Sequence, residues 1–252
     1  MRFTSFSAAI ILLAVAGVSA NKDPQDDCHE ASAPSPSYGA PSTPTPKPFY
    51  GLPLPTTTAG SSSAMSKESM IKALKNIAPG SAAEPCVSAP KAEGQCRSAS
   101  QAAEPLIHSF EKYKITSKPE MAAILSLIAL ESGEFKYQKN VFPGRPGQGT
   151  RNMQMPKFNA LYAKSISELS GKLGPKFTNV EAVLEILLSK DDYDFGSAAW
   201  FLTTQCTPAV RTALQSGTED GWSKYLTECI GTTVSEERKA YWTKAMESVK
   251  DL

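Results

Sequence analysis

The chain has almost no charge imbalance. Its 26 Lys and Arg stand against 25 Asp and Glu, a formal net charge of +1 over 252 residues. No basic block interrupts that balance, so electrostatics point to no nucleic acid and favour no class of partner. Metal-ligand spacing is missing too. Cys28 and His29 are adjacent but have no second pair of ligands, which leaves no structural zinc pattern. A Gly-rich phosphate loop is absent, and no cofactor signature is read. The sequence contains no Asn-x-Ser/Thr site, so N-glycosylation is not expected. Nor does any period of twenty to fifty residues repeat, which excludes a solenoid.

Long apolar runs are scarce. Past the N-terminus the longest runs from Met121 to Leu130, flanked by Glu120 and Glu131. That is far short of a bilayer span. At the N-terminus, Arg2 precedes an almost wholly apolar stretch from Phe6 to Val18, and Val18-Ser19-Ala20 fits a small-residue cleavage site. Residues 1–20 therefore read as a secretory signal peptide. The expected location is extracellular, with no membrane association.

Residues 21–64 are dominated by Pro, Ser, Thr, Ala and Gly. With little to bury, they are expected to form a disordered linker of local polyproline II character. O-glycosylation and an undecorated spacer both fit this composition.

Export permits disulfides. Cys86, Cys96, Cys206 and Cys229 lie in the region expected to fold, and Cys28 is left in the linker. Four cysteines allow three connectivities. Pairing each with its near neighbour is favoured, and the sequence does not choose.

Residues 65–252 read as a mainly α domain with at most a small β-hairpin. Ser66 suits an N-cap before Met70, Ile71, Leu74 and Ile77, which recur at helical spacing. Further helices are expected over Glu104–Tyr113, from Pro156 on, over Val180–Leu188, Phe195–Phe201, Val210–Leu214, Trp222–Cys229 and Ser235–Val249. A hairpin is expected near Gly147–Met155. The run from Met121 to Leu130 is apolar on nearly all sides, the mark of a helix buried in the middle of its domain. Ser117 and Pro119 suit its start and Gly133 its stop.

That central helix delivers Glu131 to its end. A carboxyl at the mouth of an apolar helix can hold a proton, because desolvation disfavours the charged form. Glu131 is therefore a candidate general acid. Glu131-Ser132-Gly133-Glu134-Phe135, followed by Gly149-Thr150-Arg151-Asn152-Met153-Gln154-Met155-Pro156, resembles the lysozyme-like superfamily. The closest pattern is that of soluble lytic transglycosylases and goose-type lysozymes. The resemblance implies Glu131 as general acid and then base, with Ser132 orienting it. It also implies that Gln154 and Met153 line a sugar groove. Arg151, Asn152 and Tyr137 are further groove candidates.

The implied function is a secreted, monomeric enzyme that cleaves peptidoglycan, with no metal or cofactor. A chitinase- or chitosanase-like hydrolase is the alternative, as is a non-catalytic glycan-binding effector. Two departures stand out. The interval between Glu131 and Gln154 is longer than the family's, and Pro156 follows Gln154 more closely. No second carboxylate is assigned. Asp191, Asp192 and Asp194 read as a helix N-cap with a solvated first turn. His108 is given no role, and Trp200 and Trp242 are expected in the core.

Overall fold

The computed structural model describes residues 65–252, apart from the side chains of residues 175 and 176. The expected signal peptide, the expected linker and Cys28 lie outside the described residues. Among the described residues the protein is mainly helical, as expected. Its α-helices are α1 (Lys67–Ile77), α2 (Ala99–Lys112), α3 (Lys118–Glu131), α4 (Pro156–Ser165), α5 (Ser167–Leu173), α6 (Val180–Leu187), α7 (Asp191–Gln205), α8 (Pro208–Gln215), α9 (Glu219–Lys224) and α10 (Glu236–Ser248). A π-helical turn, Tyr225–Ile230, follows α9.

Helix α3 is the axis of the main core. Every residue from Glu120 to Ala129 is buried, and α1, α7, α8 and α10 pack around it. Each Leu or Ile so buried contributes about 1.5–3 kcal/mol. Its one buried acid, Glu120, is paired with Arg211 of α8. A second cluster gathers Tyr162, Ile166, Leu169, Leu173, Val183 and Leu187 from α4 to α6. Helix α7 joins the two clusters, giving Phe195 and Leu202 to the first and Trp200 and Phe201 to the second. Trp242 stacks on Trp222, their ring centroids 4.9 Å apart.

Several local signals hold. The side chain of Ser66 accepts from the Ser69 N–H and caps α1, and Ser235 caps α10 in the same way. The disulfides join Cys86 to Cys96 and Cys206 to Cys229.

Other expectations are corrected. Helix α2 begins at Ala99, five residues before Glu104, because Ser98 and Gln101 form a reciprocal capping box there. Pro105, which an expected start at Glu104 would put in the first turn, consequently lies inside the helix. Between Lys139 and Gln154 only isolated bridges form, Lys139 to Gly149 and Gly149 to Gln154. Helix α7 starts at Asp191, and Asp194 is fully buried within it instead of capping it.

Candidate functional site

Helix α3 surfaces at Glu131, and the chain then turns left-handed. Ser132 is buried. Its hydroxyl donates to the Ile128 carbonyl at 2.5 Å and accepts from the Phe135 N–H at 2.9 Å. Gly133, Glu134 and Phe135 follow with φ of +57°, +59° and +67°. Two of these three are not glycine, and each such residue costs about 1–2 kcal/mol in that conformation. Strain of this kind persists only where its surroundings hold it.

Those surroundings are a buried polar network centred on Arg151. Its Nε donates to Asp194 Oδ2 at 2.7 Å, its Nη1 to the carbonyls of Phe135 and Tyr137 at 2.8 and 3.2 Å, and its Nη2 to the Gln95 carbonyl at 2.8 Å. The guanidinium lies 4.8 Å from the centroid of Phe195. Gln138 donates its amide to the same Asp194 oxygen at 3.0 Å, and Gln95 Oε1 accepts from the backbone N–H groups of Gln138 and Lys139. Burial pushes the Asp194 carboxyl up, and the Arg151 charge opposes that push. The segment 136–155 has no helix of its own; Arg151 holds the Tyr137 carbonyl at its start, Gln95 holds the N–H groups of Gln138 and Lys139, and the Asn140 and Gly149 N–H groups bond the Gln148 and Gln154 carbonyls.

The outer face of the same segment lines a cleft of about 410 Å³. Its walls are Glu131, Tyr137, Lys139, Asn140, Val141, Phe142, Gln148 and Met153. A smaller hollow of about 190 Å³ adjoins it, sharing Lys139, Asn140 and Gln148 and reaching Arg145 and Glu181. Val141, Phe142 and Met153 are the cleft's apolar lining. Tyr137, Lys139, Asn140 and Gln148 are its polar lining; Asn140 donates to Gln148 Oε1 at 2.8 Å, Gln148 to the Met153 carbonyl at 2.9 Å, and Lys139 pairs with Glu185, which leaves each amide and the ammonium with further N–H groups. Phe142 stands 91% exposed at the rim. Glu131 accepts from Arg238 Nη2 of α10 at 2.7 Å, and a full ion pair is thus in place at the end of α3.

Three of the expected site residues meet at this cleft: Glu131, Tyr137 and Met153. Four do not. Ser132 secures the left-handed turn and makes no bond to Glu131. Arg151 is wholly buried and neutralises Asp194, so it cannot reach a ligand. Asn152 accepts from Thr150 and Ser197 hydroxyls. Gln154 is 5% exposed and donates to Asn159 Oδ1 at 2.7 Å. Each of these four meets a fixed internal demand in the loop. Sequence reasoning missed Lys139, Asn140, Phe142 and Gln148, which lie between the two halves of the motif, and Arg238. Nothing local to Glu131 signals Arg238, which is 107 residues away.

Among the described residues no group of three His, Cys, Asp or Glu is arranged to hold a metal ion. The described cysteines are in disulfides, and His108 sits at the surface, 2.9 Å from Asp192.

Comparison with known proteins changes the functional reading. A bifunctional dioxygenase–epoxy alcohol synthase of Fusarium oxysporum is 46% identical over 152 residues. The match takes in 58% of this chain but 12% of that protein. No family model matches, and no solved structure does.

The expectation of a glycan-cleaving enzyme is therefore withdrawn, with its chitinase- and chitosanase-like and glycan-binding variants. The relative is named for oxygenation, a different class of chemistry. The geometry agrees with the withdrawal. Glu131 is ion-paired with Arg238, not unpaired against apolar walls, and Gln154 and Arg151 are committed to the interior.

Proposed function

We propose that the chain is a binding module that accompanies oxygenase chemistry, with the cleft at the end of α3 as its ligand site. The ligand class is an organic oxygenation product, an amphiphile bearing hydroxyl and epoxide oxygens on an apolar chain. The cleft's mixed apolar and polar lining carries this reading. Val141, Phe142 and Met153 suit a hydrocarbon segment, while Tyr137, Lys139, Asn140 and Gln148 suit ligand oxygens. Its volume of about 410 Å³ falls within the usual range for small-molecule pockets.

Dioxygen chemistry is carried by metal or organic cofactors, which the protein binds and orients. The described residues do not fit that task. His108 is a surface residue engaged by Asp192, and the described cysteines are oxidised in pairs. We accordingly assign the oxygenation step to the parts of the relative that this chain does not span, and recognition to this module.

Titration calorimetry of residues 65–252 with a straight-chain epoxy alcohol tests it. Saturable one-to-one binding is expected, stronger than for the alkane of equal length, and weakened by Phe142→Ala. Heat no different from that of the alkane refutes the proposal.

A further inference from the structure

Glu134 is not among the cleft's lining residues, and its carboxylate bonds Gly80, just past the end of α1, and Tyr241 of α10. Oε2 accepts the Gly80 N–H at 2.5 Å, and Oε1 accepts the Tyr241 hydroxyl at 2.9 Å. Gly80 is fitted to this contact, since a Cβ there would collide with the Glu134 carboxylate. The residue whose side chain is anchored so firmly is the middle one of three in the left-handed region.

The turn also communicates with the cleft by contact. A Cβ on Gly133 would lie 3.0 and 3.1 Å from the ring carbons of Tyr137. Gly133 thus forms a close seat for the ring that lines the cleft. Glu131 enters the turn from one side, and Tyr137 leaves it with its N–H bonded to the Ser132 carbonyl at 2.9 Å. If the turn relaxed to right-handed geometry, both cleft residues would move together.

We propose that Glu134 is a positioning residue for the cleft. Through Gly80 and Tyr241 it holds the Gly133–Phe135 turn left-handed, and so sets Glu131 and Tyr137 in register with each other. This role rests on the cleft being the ligand site. It explains why a strained turn stands beside a cleft rather than a relaxed helix end. It also gives a task to an acidic residue that touches no ligand.

The test compares Glu134→Ala, Glu134→Gln and a remote core variant, Leu214→Ala, chosen to lower thermal stability comparably. Each is measured for affinity toward the straight-chain epoxy alcohol and for the backbone amide resonances of Gly133 to Tyr137. Glu134→Ala should weaken binding about tenfold, the loss expected when the turn that sets Glu131 and Tyr137 in register is released. It should also displace those five amide resonances. Glu134→Gln, which keeps an acceptor for Gly80, should recover most of the affinity. Leu214→Ala should change neither readout.

Glu134→Ala behaving like Leu214→Ala in both readouts overturns the role. If Glu134→Ala does not fold, Tyr241→Phe removes one anchor and is read by the same two measures. If the parent does not bind the epoxy alcohol, the binding proposal fails, and the amide resonances alone decide the positioning role.

Discussion

Replacing Arg151 with Met removes the side chain that ties Asp194 to the carbonyls of Gln95, Phe135 and Tyr137. Arg151 and Asp194 are both 0% exposed at their side chains. Breaking a buried ion pair by deleting one partner costs about 3–5 kcal/mol, because a charge is left uncompensated. Here the loss is broader than one pair. The carbonyls of Tyr137 and Gln95 lose their Arg151 donor, whereas the Phe135 carbonyl keeps the Arg97 N–H at 3.0 Å. Methionine restores part of the volume against Phe195. A net cost of about 4 kcal/mol follows, a large share of the roughly 5–15 kcal/mol typical of a domain.

Urea unfolding followed by fluorescence of Trp200, Trp222 and Trp242 measures this. The midpoint should fall with little change in slope. Arg151→Met with Asp194→Leu should cost less than the sum of the single changes, because the stranded carboxylate is gone. A single-variant cost below about 1 kcal/mol, or strict additivity, would refute the keystone role assigned to Arg151.

Other perturbations probe separate links. Opening Cys206–Cys229, which closes 23 residues, should cost about 3 kcal/mol in thermal or urea unfolding. Hydrogen bonding to Asp192 raises the His108 pKa. Its stabilisation is therefore complete below the unfolded value of about 6.5 and fades as pH rises through the folded value. Solvent screening keeps that effect under about 1 kcal/mol, and His108→Gln should flatten it in unfolding measured across pH. Incubated with bacterial cell walls, neither the parent nor Glu131→Gln should release muropeptides. Release by the parent that Glu131→Gln abolishes would reverse the withdrawal of the glycosidase reading.

Much of the frame was legible because its signals are local. An all-round apolar run announces a central helix, and Ser66 and Ser235 announce helix starts, since capping depends on neighbours three residues away. Near-neighbour disulfides were favoured for a similar reason. The site was legible in part. Glu131 was found because a buried helix ends on it, Met153 because it lies in the second half of the motif, and Tyr137 as an aromatic two residues past the first half. Arg151, Asn152 and Gln154 were misread because a polar residue in a turn-rich loop looks alike whether it faces solvent or fixes the loop from within. Only the tertiary partner, Asp194 at a separation of 43 residues, distinguishes the two. Asp194 in turn resembled a capping aspartate until its burial was known. Arg238 and the Gly80–Glu134–Tyr241 contact join elements far apart in sequence and leave no local trace.

The central claim is that the cleft between Glu131 and Phe142 is where a ligand sits. Isotope-edited NMR of residues 65–252 with a straight-chain epoxy alcohol tests it most directly. The account predicts intermolecular contacts from the hydrocarbon chain to Val141, Phe142 and Met153, and from the oxygen-bearing end to Tyr137 and Gln148. Contacts confined to another face, such as the groove beside His108 and Tyr193, would contradict it, as would none at saturating ligand.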